Sequence, residues 1–551
     1  MADRYWVGGS GTWSSSSTTN WSATSGGSSG ASVPTSNDNV IFNSASSASS
    51  YSVALALDDN LYAQSLTIDG PASGTLSISS TSNIFSLNVS SSLTVASSGV
   101  SLTSFAGTID IRDFSTSNIS IGPALTNGTL RIDQANGSVK RLTASLVCKN
   151  LYIADALSKL TTNGYDITCS GLLSIGSTFG GAAGFITSGT ESIYLTGNNQ
   201  TIYQIVGTVT NTGTVNIRCT YAGSTGTRTF SLNQAGTTPA GAPNIYISAG
   251  SDTVSMFTSP NDVTQTVDFT GFSGSLSGSS TATVWGSLTF SSGMTVSGFT
   301  GGINMGAITA GTSTLTTAGK SCAFAFGTAT TTGYVGSVRL GGAFTTTKAI
   351  TMSAASIPLN TQGYAVTSLS FSQTAGTLTL GATTWTLTGS GTVLTLGTGT
   401  TQSLGTSTFV FTSASSKTAT VNANNLPSIT QSGAGLLILT YTGPINIANL
   451  TTTVAPTALQ FTSSRTATIT GNFNVSGTPG NLVTITSSSS GTAATLSKSS
   501  GVINSNYLSL KDSTATGGAT WFAGSGSTNV SGNTGWIFAD TFDSGMLFFF
   551  N

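Results

Sequence analysis

Residues 367–397 read TSLSFSQTAGTLTLGATTWTLTGSGTVLTLG. Apolar side chains fall two apart in short bursts: Leu369 with Phe371, Leu378 with Leu380, Trp385 with Leu387, Leu394 with Leu396. A period of two is that of a β-strand with one buried face, because successive side chains of an extended chain point to opposite sides. Gly, Ser and Thr break the bursts, and these residues accept positive φ or bond their own backbone in turns. The stretch therefore reads as consecutive short strands joined by tight turns, with no room for a helix.

The same pattern recurs in SLTIDG (65–70), GTLSISS (74–80), SLNVSSSLTVASSG (86–99), GTIDIRD (107–113), GSLTFSSG (286–293) and TATITGNFNVSG (466–477). Strands starting roughly every 8–12 residues fit a sandwich, a barrel or a solenoid. Three features select the solenoid. The alternation persists from about residue 50 to 510 without a linker, similar units such as SLTVASSG and SLTFSSG recur, and Ser and Thr dominate the polar positions, where stacked coils would align them in ladders. The expected fold is all-β, an elongated parallel β-helix or β-solenoid with aromatic-rich terminal modules; tandem β-sandwich domains are the alternative. Coils of about 20 residues stacked at ~4.8 Å would make a rod on the order of 100 Å long.

Composition narrows the chemistry. Charged residues form 6% of the 551, against an ordinary share of about 25%, while 38% are hydrophobic and mean hydropathy is +0.20. That balance can bury a core. A net charge of −1 with scattered Lys and Arg gives no footprint for nucleic acid. MADRYWVGG lacks the basic start and apolar stretch of a signal peptide, and no run of about 18 apolar residues predicts membrane insertion. Acidic residues are distributed unevenly: Asp268 is followed by none until Asp512, and Glu191 is the single Glu.

Histidine is absent, which removes Ser-His-Asp and Cys-His nucleophilic sites and most zinc sites. Carboxylate chemistry would have to come from Asp58 with Asp59, Asp110 with Asp113, Asp133, Asp155 or Asp166. Asp110 and Asp113 face opposite sides of a strand, and Asp58-Asp59 reads as a turn, so no enzyme is expected. Asn37, Asp38 and Asn39 in SNDNV supply a single carboxylate and read as a turn rather than a calcium site; TGNNQ (196–200) and NANN (422–425) read likewise. Cys148, Cys169, Cys219 and Cys322 lack metal spacing and read as small buried hydrophobes. No cofactor and no metal is expected.

Tryptophan marks the ends. Trp6, Trp13 and Trp21 open the chain, Trp521 and Trp536 lie near its end, and only Trp285 and Trp385 fall between. A solenoid must cover its terminal coils, and large aromatics do so with on the order of 150–250 Å² each. The five terminal Trp are assigned to capping or attachment, and Trp285 and Trp385 to core packing, a lateral subunit contact or sugar stacking. The apolar run Met546, Leu547, Phe548, Phe549 and Phe550 would aggregate if exposed and is assigned to an oligomer contact. The expected division is an N-terminal module over 1–45, a Ser/Thr/Gly-rich shaft over 46–500 and a C-terminal closing module over 501–551.

The segment RYWVGGSGTWSSSSTTNWSATSGGSSGASVPTSNDNVIFN (4–43) resembles the N-terminal module of repetitive β-rich structural proteins of tailed bacteriophages, notably cyanophages. The resemblance is carried by Trp6, Gly8, Gly9, Gly11, Trp13, Asn20, Trp21, Ser22, Val33, Pro34, Asp38 and Phe42. NYLSLKDSTATGGATWFAGSGSTNVSGNTGWIF (506–538) resembles a closing segment of the same proteins, through Leu508, Asp512, Ser513, Ala515, Gly518, Ala519, Trp521, Ala523, Gly524, Ser527, Thr528, Asn533, Gly535 and Trp536. A looser likeness links the first segment to the entry of autotransporter β-helix passengers, which would need an export signal and a C-terminal membrane barrel. The phage resemblance implies a virion structural protein assembled in the host cytoplasm, a fibre or spike with a homotrimeric form, other virion proteins and host surface glycan as partners. A capsid or tail decoration protein, an extracellular filament protein and a glycan depolymerase are the alternatives.

Overall fold

The computed structural model describes the chain except residues 113–115, 135–136, 156, 177–182, 233–241, 261, 307–310, 327–335, 353–356, 399, 423–424 and 542–551. Among the described residues there is no helix, and parallel strands stack into a β-solenoid of about 20 turns. The chain divides into two compact units, Met1–Gly301 and Gly302–Asn551.

In the first unit one face is a parallel stack of Asp3–Trp6, Asn39–Phe42, Ser65–Ile68, Leu93–Val95, Ser117–Ile121, Val139–Leu142, Lys159–Thr161 and Gly184–Ile186. The short strand Trp21–Ser22 runs antiparallel along the outer edge of Asp3–Trp6, with Trp21 opposite Trp6. The N-terminal segment is thus continuous with the stack. A second ladder places Val89, Ile111, Ile132, Ile153, Ile175 and Ile205 on successive turns, all buried. Like stacks on like because every turn presents the same inward position, and branched side chains repeated at that spacing fill the core without gaps.

The second unit repeats the principle with larger side chains. Ile303, Phe324, Ile350, Phe371, Leu394, Ala419, Leu439 and Phe461 form one inward column. One position along, Thr351, Ser372, Thr395, Thr420 and Thr440 form an outward row of hydroxyls. Asn425 and Asn446 belong to another such row, and the Asn446 amide donates to the Asn425 side-chain oxygen at 3.0 Å.

Two expectations need correction. A coil of about 20 residues fits Phe409, Ile429 and Leu450, which follow at steps of 20 and 21, but Leu66 to Leu93 takes 27 and Leu173 to Tyr203 takes 30. Most extra residues enter between strands, and single-residue shifts within the ladders take up others, as between Thr201 and Tyr203 and between Thr392 and Leu394. The alternation at Leu369 does not continue the strand either. Ser368 is buried and Leu369 is 44% exposed, because a corner between Val366–Ser368 and Ser370–Gln373 resets which side faces inward.

Trp385 belongs to the core: its ring lies 4.3 Å from that of Phe371, centroid to centroid, and its indole N–H donates to Ser368 Oγ at 3.0 Å. Trp285 is also buried, so neither ring presents a face to a sugar. All four cysteines are buried; Cys148 and Cys169 stack on neighbouring turns with sulfurs 3.7 Å apart, and that contact together with burial holds the Cys169 thiol well above its ordinary value.

Candidate functional site

The opening motif builds a buried aromatic cluster. Gly8 and Gly9 take φ of 84° and 75°, a left-handed pair that turns the chain from Asp3–Trp6 on one sheet to Gly11–Trp13 on another. Asn20 clamps that corner: Val7 N–H donates to the Asn20 carbonyl at 2.8 Å, and the Asn20 amide returns a bond to the Val7 carbonyl at 2.9 Å. The turn aims three indoles at one another. Trp21 meets Trp6 and Trp13 edge to face at 5.2 Å each, and Trp6 stacks on Phe42 at 5.4 Å. Each such pair adds about 0.5–1.5 kcal/mol beyond area burial.

Near the other end Trp521 and Trp536 meet edge to face at 5.1 Å, and Trp521 packs on Phe473 at 5.3 Å. Their indole N–H groups donate to the Thr516 carbonyl and to Ser513 Oγ. All five terminal Trp are buried. Their rings therefore serve as the core of the end turns, and any partner of these segments touches the residues around them. Met546, Leu547, Phe548, Phe549 and Phe550 lie outside the described residues, as does Asp113.

Among the described acidic candidates, Asp110, Asp133 and Asp166 are engaged. Asp58 and Asp59 form an exposed turn after Tyr51–Leu55. Asp110 is buried and accepts from Arg112 at 2.8 Å, while Asp133 pairs with Arg131 at 2.9 Å. Burial pushes the Asp110 carboxyl up despite Arg112, so ionisation there depends on the guanidinium. Asp166 accepts from the Ser192 N–H at 2.7 Å. Asp38 in SNDNV accepts from Thr35 N–H at 3.0 Å and Thr35 Oγ1 at 2.8 Å, closing the VPTSND turn, and Asn39 donates to Asp3. Among the described residues no group of three His, Cys, Asp or Glu is placed to hold a metal ion.

None of the candidate residues read from the sequence lines a groove that gathers polar side chains among the described residues, of which Asn163 and Thr143 also donate to the Leu142 and Ile119 carbonyls. The groove lies on the outer side of the first unit's stack, encloses about 490 Å³ and is lined by Asn118, Val139, Arg141, Thr143, Thr161, Asn163 and Ile186. Register explains the grouping, since Asn118 pairs with Arg141, Arg141 with Thr161 and Thr161 with Ile186 on successive strands. The groove coincides with the shortest turns of that stack, 23 residues from Ile119 to Leu142 and 20 from Lys140 to Leu160, against 26 from Leu93 to Ile119. These offsets vary from turn to turn, which hides the row from a one-dimensional reading.

Comparison with protein families, with curated proteins and with solved structures returned no match.

Proposed function

We propose that the chain is a non-enzymatic structural protein of a bacteriophage virion, a fibre or spike whose solenoid surface meets the host envelope. The observation that carries this reading is the long parallel ladder with outward rows of hydroxyls and amides, as in Thr351 to Thr440 and Asn425 to Asn446. Such a stack is held by main-chain hydrogen bonds along its whole course and offers an uncharged, hydrogen-bonding surface suited to polyhydroxylated partners. The likeness of residues 4–43 and 506–538 to phage terminal modules supports the placement on a particle. Copies of the chain as a homotrimer, neighbouring virion proteins and host surface glycan are the proposed partners; no cofactor, nucleic acid or membrane insertion enters the reading.

Gold-labelled antibody against the chain is expected to mark fibres or spikes on native particles, and particles lacking it are expected to lose host adsorption. Label spread over the capsid with normal adsorption would replace this reading with a decoration protein. Release of oligosaccharides from envelope preparations would replace it with a depolymerase. Light scattering of the purified chain checks the trimer separately.

A further inference from the structure

We infer that the groove around Arg141 is a binding site for a carboxylated saccharide, with the guanidinium of Arg141 holding the sugar's carboxylate. This rests on the adhesive reading above and gives it a ligand class. Arg141 is exposed, and among the described residues it has neither a carboxylate nor a hydrogen-bond partner. Other guanidiniums of the same unit are engaged: Arg112 and Arg131 hold Asp110 and Asp133, Arg218 bonds Ser192 and covers Tyr246, and Arg228 holds Asp252. An unspent planar fork in a groove is the group that recognises a carboxylate through two parallel bonds.

The surroundings select a sugar. Asn118, Thr143, Thr161 and Asn163 bring amides and hydroxyls that donate and accept, which matches a ring of hydroxyl groups, while Val139 and Ile186 offer apolar flanks for its C–H faces. Lys159, outward on the strand beneath and opposite Val139, adds positive field although its ammonium donates to the Thr210 carbonyl at 2.7 Å. A nucleic acid fits poorly: the unit has nine basic residues against 14 acidic ones, and the groove contains no aromatic for a base to stack on. An extended peptide finds little free strand edge here, because Ser117–Ile121, Val139–Leu142 and Lys159–Thr161 are paired on both sides and the terminal strand Gly184–Ile186 is flanked by the bridges Ala183–Val209 and Ile186–Thr212. Carbohydrate carrying one carboxylate per residue or fewer asks for one cation among many neutral polar groups, and that is what the groove supplies.

The test uses the full chain and a panel of defined oligosaccharides: oligogalacturonate, its methyl ester, oligomannuronate, a sialylated oligosaccharide and a sulfated neutral one, titrated by calorimetry. At least one carboxylated oligosaccharide is expected to bind, with binding about 10- to 100-fold weaker for Arg141→Gln, the range for losing a hydrogen bond to a charged group. Where oligogalacturonate binds, its methyl ester is expected to be weaker by a similar factor. Arg141→Lys keeps charge without the fork and is expected to fall between, and Thr161→Ala to lose a few-fold. The thermal transition of each variant should match the parent, since Arg141 has no structural partner to lose. Undiminished binding by Arg141→Gln, a methyl ester as good as the acid, preference for the sulfated sugar, or no binding across the panel would each overturn the assignment. Carboxylate-dependent binding by a chain that labels the capsid would keep the groove and remove the fibre reading, so the two can fail separately.

Discussion

In Met1–Gly301 the buried guanidinium of Arg228 lies against a carboxylate, whereas in Gly302–Asn551 the buried ammonium of Lys417 lies against carbonyls. Arg228 and Asp252 are both fully buried and joined at 2.6 and 2.8 Å, and Arg228 also donates to the Ala249 carbonyl at 3.0 Å. Lys417 donates to the carbonyls of Ser413 at 2.6 Å and Gly435 at 3.1 Å, and Lys498 uses the Gly471 carbonyl in the same way. The first unit contains 14 of the 17 acidic residues; the second contains three, all at or beyond Asp512, with seven basic ones. One β-solenoid architecture thus tolerates two ways of burying a cation. A carboxylate neutralises the charge, while turn carbonyls only solvate it with dipoles, and the cost of desolvation remains in the fold.

Removing the carboxylate of the first pair should separate the units most sharply. Asp252→Ala leaves a buried guanidinium without its counter-charge and is expected to destabilise Met1–Gly301 by about 3–5 kcal/mol. Hydrogen exchange should show lost amide protection there, with Gly302–Asn551 unchanged. Equal loss in both units would mean that they unfold as one and would break the comparison.

The second contrast is alkaline. Burial holds the Lys417 ammonium down at about 8, below the 10.5 of a free lysine. Below pH 8 folded and unfolded chains both carry the proton, so the burial cost is fully present. As pH rises from 8 to 10.5 the folded chain releases its proton first, and stability should rise, by roughly 1–3 kcal/mol after allowance for solvent near the turn. Lys417→Met should remove that rise, as read from denaturant midpoints across the window.

In acid the first unit should respond instead. Burial opposes ionisation of Glu191, but bonds from Ser188 and Thr162 outweigh it and hold the carboxyl down at about 2, against 4.5. Its contribution is present above pH 4.5 and is lost as pH falls through 2, by roughly 1–2 kcal/mol after screening. Glu191→Gln should flatten that limb. Residues 302–511 contain no carboxylate and should show no acid limb of their own.

The smallest effect belongs to the outward rows. Asn446→Ala removes one exposed amide bond to Asn425 and is expected to shift stability by about 0.5 kcal/mol. A much larger loss would show that the surface ladder, and not the apolar column behind it, holds the turns together.

Several features could be read directly from residue order. Thr377–Thr379 and Thr384–Leu387 are strands where the alternation predicts them. The turn readings of Asp58-Asp59 and SNDNV rest on short-range bonding that sequence spacing captures. Leu369 was misplaced because a corner leaves no composition signal among so many Ser and Thr. Arg228 with Asp252, and Asn118 with Arg141 and Thr161, went unseen because they meet at separations of 24, 23 and 20 residues set by corner lengths.

By itself, the sequence determined short strands with one apolar face, terminal turns rich in Trp, and a long acid-free stretch from 269 to 511, because these depend on residue type and on spacing within a few positions. Tertiary structure alone decided which turns stack, which hydroxyls share a row, and that Arg141 stands in a groove without a partner among the described residues. Those depend on register between residues some 20 to 30 positions apart, and a corner absorbs added residues without changing the alternation on either side of it.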